Sequence, residues 1–258
     1  MEGLATPPRR PVYNRWLPYW AVFQADVHQT LHSWVYRVWV LVSVLAAVGY
    51  LLYRCGLAHE AGIVQPASKL IADLLRWTTL GSVTLIVALT AGSISSERGT
   101  MADSVLSRGI SRHQYFFGKW HSRLVMVLVT FAGLCLAVFI ASLFLLHEDL
   151  DLGGCAIAVL TVCVLLAAVA TCGVTVSAIC NSTVLGVAVL SIGLYGGGFA
   201  LSLLPARFPS PDRALNNLPY ILKGYYDAQM LFQLMGYAGL LSLFAAIIGL
   251  AYFGRRDI

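Results

Sequence analysis

The sequence predicts an all-α, polytopic membrane protein. It would have six transmembrane helices, an N-terminal amphipathic interfacial (elbow) helix, and a short cytoplasmic helix between spans two and three. Three observations predict it. The 258 residues are 59% hydrophobic and only 11% charged, with a mean hydropathy of +0.77, whereas an ordinary soluble domain is about 25% charged. Six stretches are apolar over about 20 residues, the length of helix that crosses the hydrocarbon core. In the first half of the chain only one long charged island, residues 95–119, lies between two long apolar runs.

Residues 1–34 read as a tail and a helix. The first 17 are basic and Pro-rich, with Arg9, Arg10 and Arg15, and predict an irregular cytoplasmic tail. No short apolar core follows Arg9-Arg10, so neither a cleavable signal nor a twin-arginine signal is expected. From Trp20 the period becomes helical. Trp20, Phe23, Val27, Leu31 and Trp34 recur at spacings of three and four, with Gln24, Asp26, His28, Gln29 and His32 on the opposite side. Such a helix suits the membrane interface, and a soluble surface helix is the alternative.

Residues 35–258 read as the six-helix domain, with spans at about 35–53, 77–95, 124–146, 154–179, 184–204 and 231–253. Arg37 stands at the edge of the first, where it can snorkel. The second can begin earlier, near Ser68, because Leu70, Ile71, Leu74 and Leu75 continue the period. Only Cys180-Asn181-Ser182-Thr183 separates the fourth and fifth, which predicts a tight antiparallel hairpin. The extracytoplasmic segment 205–229 contains four prolines and then Leu218, Tyr220, Ile221, Leu222, Tyr225 and Tyr226. It is too short and polar to span. Interfacial or re-entrant helices and a plain surface loop are both open.

With the N-terminus in the cytoplasm, eleven of the 17 basic residues lie inside, and the loop holding Glu148, Asp149 and Asp151 lies outside. The positive-inside rule therefore places both termini in the cytoplasm, in a cytoplasmic (inner or plasma) membrane. The 95–119 island falls on the same side. It carries two helix-start signals: Thr100 with Asp103, and Ser111 with Gln114 in the Ser-x-x-Gln form of a capping box. Gly109 between them suits a helix C-terminus. The expectation is a short helix over 101–107, a turn at Arg108-Gly109-Ile110, and a second helix after Ser111.

Several chemistries find no support in the residues. The +5 net charge reads as an orientation signal rather than a nucleic-acid footprint. Trp120 follows Gly118-Lys119, so there is no phosphate-binding loop, and neither HExxH nor GxSxG occurs. The chain is not expected to be an enzyme or to bind a cofactor or metal itself. His28 and His32 are a possible metal pair weighed against a solvated one. Cys155, Cys163 and Cys172 on one span read as small packing residues, with a soft-metal path as the alternative. Glycines at 193–198, Gly236 and Gly239 read as close-packing or kink sites. No ionisable residue falls at mid-depth in the predicted spans, which argues against an ion-coupled transporter.

Ile94-Ser-Ser-Glu97-Arg-Gly99-Thr100, then Leu106-Ser-Arg108, Ser111-Arg112 and Gly118-Lys119, resemble the signature of ABC-2 type transporter permeases. The layout of elbow helix, six spans, extracytoplasmic segment before the last span and terminal Phe253-Gly-Arg-Arg256-Asp257 fits that family as well. Gly109-Ile110 departs from it, standing where many members have Pro-Val or Pro-Ile. The resemblance implies a permease subunit, an exporter forming half of a translocation path. It also implies coupling to a separate ABC ATPase, in two copies, which would hold the ATP and Mg. The implied partners are that ATPase, a second permease copy, the lipid bilayer, and a periplasmic or surface partner, with no nucleic acid. The implied ATPase-coupling interface is Glu97, Gly99, Thr100, Met101, Val105, Leu106, Arg108, Ser111, Arg112 and Lys119. The Asn181-Ser182 turn is a minor second contact. Rival readings are a non-transporting membrane scaffold or assembly factor, and the permease of a copper-maturation (nitrous-oxide-reductase type) transporter.

Overall fold

A backbone in hydrocarbon must satisfy its own N–H and C=O groups, and this chain does so with helices. The structure, a computed structural model, describes residues 16–61, 66–95, 110–145, 149–203 and 209–255. Among them are α1 (Leu17–His32), α2 (Trp34–Ala61), α3 (Ala67–Thr90), α4 (Arg112–Leu145), α5 (Leu152–Ile179), α6 (Thr183–Ser202), α7 (Pro211–Asn216), α8 (Leu218–Leu222) and α9 (Ala228–Arg255), and no strand. Six of these, α2 to α6 and α9, are long and apolar enough to cross a membrane. The chain is an all-α integral membrane protein.

Helix α5 is the centre. It is apolar on every side, as a helix surrounded by others must be, and it packs against α3, α4, α6, α8 and α9. Its small residues allow close approach: a Cβ at Gly173 would collide with the Thr90 hydroxyl of α3. The larger core, with Ile71, Leu75, Phe131, Val162 and Leu166, fills the space between α3, α4 and α5. A second apolar cluster, around Phe116 and Phe253, closes one end.

The second span, α3, differs at both ends from the 77–95 expected for it. Helix α3 begins at Ala67, as the early period allowed, and Leu70, Ile71, Leu74 and Leu75 are all buried. Asp73 and Arg76 therefore lie within it. The Asp149 carboxylate, from the α4–α5 connection, takes hydrogen bonds from the Ser68 backbone N–H (3.0 Å) and hydroxyl (2.9 Å), while Lys223 pairs with it at 3.0 Å. Burial alone would push the Asp149 carboxyl up; these donors outweigh it and hold it below the usual carboxylate value. At its other end α3 stops at Thr90 rather than 95. The Ser93 hydroxyl bonds the Thr90 carbonyl (2.8 Å) and the Ser95 hydroxyl bonds the Ala91 carbonyl (3.0 Å). Side-chain hydroxyls thus compete with the helical ladder, and Ser177 Oγ accepts the freed N–H groups of Ile94 and Ser95.

The described part of 205–229 is not a plain loop. Helices α7 and α8 wedge between their neighbours, with Leu218, Ile221 and Leu222 buried in the larger core. Gly154 is required there, because a Cβ would strike the Ile221 carbonyl. The glycines expected at close contacts, Gly193, Gly196, Gly197, Gly198, Gly236 and Gly239, instead face open space.

Candidate functional site

Of the expected coupling interface, Glu97, Gly99, Thr100, Met101, Val105, Leu106 and Arg108 lie outside the described residues, as does the predicted 101–107 helix. Their flanks are described. Ser111 is exposed and opens α4 with the expected capping box. Gln114 N–H bonds the Ser111 hydroxyl at 3.2 Å, and the Gln114 side chain accepts from Ser111 N–H at 3.1 Å. Arg112 is half-buried and reaches the Gly254 carbonyl of α9 at 3.5 Å. Lys119 is different: it is 4% exposed and turned inward.

Its partner is Asp26 of α1. The sequence puts Asp26 on the polar, outward side of the elbow helix; the structure buries it to 2% exposure. The Asp26 Oδ1 atom accepts from Lys119 Nζ (2.7 Å) and Arg123 Nη2 (2.9 Å), and the Ser122 hydroxyl bonds Oδ2. Arg123 Nη1 donates to the Thr30 hydroxyl at 2.9 Å, which itself donates to the Asp26 carbonyl at 2.8 Å. Two buried cations thus converge on one buried carboxylate. Arg123 Nε is buried without a hydrogen-bond partner. Lys119 lies about 10 Å along α4 from its first residue. Few side chains but a carboxylate can hold two cations at that depth, because an unpaired buried charge is strongly disfavoured.

The α1 helix is thereby fixed with Val22, Asp26 and Thr30 against α4. Gly118 makes the approach possible, since a Cβ there would meet Val22 Cγ1 at 2.8 Å. The expected apolar stripe points away from the bundle: Trp20, Leu31 and Trp34 are exposed, and Phe23 and Val27 are half-buried. Trp34 begins α2, after Ser33 breaks the helix. An aromatic belt surrounds the junction. Trp20 stacks on Phe23, and the Tyr19 hydroxyl bonds His121 Nδ1 at 3.0 Å. His32 Nδ1 contacts the His28 carbonyl at 2.9 Å, and Arg37 Nε donates to the Leu31 carbonyl. Among the described residues no group of three or more His, Cys, Asp or Glu could hold a metal ion.

Beside the ionic cluster lies the second apolar cluster. It joins Val22 (α1), Ile94 (the turn after α3), Tyr115 and Phe116 (α4), Val174 and Ala178 (α5) and Phe253 (α9), with Ile110 packed against it. Ile94 and Ile110, close to either end of residues 96–109, are thus seated on one patch that touches five elements. The Ser95 hydroxyl also lies 3.3 Å from that of Thr183, at the start of α6. Periodicity could not reveal the Asp26 cluster, because one acid among polar neighbours reads as a solvated face. The signal available was two basic residues, Lys119 and Arg123, four apart within the first turns of a span.

No family model matches this chain, and no curated protein matches it.

Proposed function

We propose that the chain is the membrane-spanning permease subunit of an ATP-driven ABC-2 type transporter, with residues 96–112 as the segment that meets a separate ATPase. The observation that carries this reading is the seating of Ile94 and Ile110 on one cluster shared by α1, α4, α5 and α9. A displacement of 96–109 would act on both seats together. Through Phe116, Val174 and Phe253 it would tilt three spans, while the Asp26 cluster would carry α1 along with α4. Packed interfaces pass on such shifts because they switch between discrete arrangements. The motif at 94–119 and the six-helix layout support the same reading. The basic end would face the cytoplasm, as the positive-inside rule expects. A second copy of the chain would complete the translocation path, and ATP and Mg would be held by the partner.

The test is a photo-crosslinking residue placed at Ser111, which is exposed, in the full-length chain in its native membranes. The expected product is a covalent adduct with a nucleotide-binding ATPase, formed in a nucleotide-dependent yield. Adducts with a protein lacking any nucleotide site would overturn the reading and favour a scaffold.

A further inference from the structure

At the end of the bundle opposite the ionic cluster, a groove of about 260 Å³ opens between α7, α8 and the start of α9. Its floor includes the buried Ile221 and Leu231, and its walls include Tyr220, Tyr225, Tyr226 and Met230. Among the described residues, Asp227 is the one acidic residue in the lining and no basic residue lines it.

The local fold explains the arrangement. Burial of Leu218, Ile221 and Leu222 turns Tyr220 outward. Gly224, at φ +82°, reverses the chain after α8, and Tyr225 N–H closes the turn on the Tyr220 carbonyl at 3.0 Å. Lys223, the cation between the tyrosines, is drawn away by its ion pair with Asp149. The rings of Tyr220, Tyr225 and Tyr226 make no stacking contact with another ring, and their hydroxyls form no hydrogen bond within the described chain. Asp227 Oδ1 accepts from the Gln229 and Met230 N–H groups at 3.0 and 3.3 Å, which leaves its second oxygen free of the helix start.

Three unpaired aromatic rings, a thioether and a carboxylate around an apolar floor are complementary to one ligand chemistry. Ring faces attract cations, and a cage of rings favours alkylated ammonium groups, whose charge is spread over a greasy surface. The carboxylate sets the sign of the ligand. A bare metal ion would need several oxygen ligands, and this lining has too few. We propose that the groove binds an organic ammonium head group. The ligand is either a soluble organic cation or the choline head of a lipid, and the site stands independently of any ATPase coupling.

The test is equilibrium binding of benzyltrimethylammonium to the full-length chain in phosphatidylglycerol nanodiscs. Saturable binding is expected. Tyr225→Ala and Asp227→Asn should each weaken it by about tenfold or more, while Tyr225→Phe, which keeps the ring, should leave it within about threefold. Asparagine can still cap α9, and Tyr225 is 75% exposed, so neither change should unfold the chain; size-exclusion profiles check this. Binding lost in phosphatidylcholine discs would assign the lipid head as ligand, and undiminished binding would assign the soluble cation. No saturable binding, binding unchanged in both weakening variants, or equal binding of choline and its neutral isostere 3,3-dimethylbutanol would overturn the proposal.

Discussion

At the residue scale, Asp26 governs the junction. Removing the carboxylate takes away the buried counter-charge that Lys119 and Arg123 share, and breaking such a pair typically costs about 3–5 kcal/mol. Asp26→Ala should therefore release α1 from α4, read as faster hydrogen exchange across 17–32 with α5 amides unchanged. Protection retained in α1 would show that the apolar contacts of Val22 suffice. Asp149 gives a pH prediction. Its carboxyl is held below the ordinary value of 3.8 by Ser68 and Lys223, so its contribution is full above that value and is lost as pH falls through the lower, folded value. The difference in thermal stability between wild type and Asp149→Asn should be constant above about pH 5 and shrink under acid. A difference that grew on acidification would contradict this.

At the element scale, the helices were legible from hydropathy and some of their ends from hydroxyls and caps. The Ser111–Gln114 box marks the start of α4 because both halves lie within four residues. The end of α3 was not legible. Ile94 and Ser177 lie far apart in sequence, and their meeting depends on the α3–α5 packing, where Thr90 abuts Gly173. The elbow helix was legible as an element, but its docked face was not. Its exposed side carries Trp20 and Leu31 and its buried side carries Asp26, inverting the simple rule that charge faces out. That inversion rests on Gly118. Gly118→Ala should force Val22 and the α1 backbone outward and cost about 1–3 kcal/mol, as overpacking does. A thermal shift in detergent, with protease sensitivity of α1, measures it, and an unshifted melting temperature would mean that α1 yields freely.

At the scale of the whole molecule, the two ends of the bundle differ. One is locked by an ionic cluster and an apolar patch; the other holds the α7–α8 wedge and its tyrosine groove. Few residues of α2 and α6 are buried, and a Cβ at Gly193, Gly196 or Gly197 would meet nothing within 4 Å. Lipid can cover such a face, and so can a second copy of the chain. If two copies build the path, single-molecule photobleaching of a fluorescently tagged chain in nanodiscs should give two steps; one step throughout would contradict pairing. Which faces of α2 and α6 stay open was not readable from the sequence, since hydropathy identifies spans without saying which face meets protein. Under the proposed function, residues 96–112 receive work from an ATPase. The most direct measurement compares the native-membrane complex of the wild-type chain with that of Arg108→Ala/Arg112→Ala, assaying the co-purified ATPase and its ATP hydrolysis. A nucleotide-binding subunit is expected in the wild-type complex, and its loss or the uncoupling of its hydrolysis from transport in the double variant. A complex with unchanged composition and coupling would contradict it.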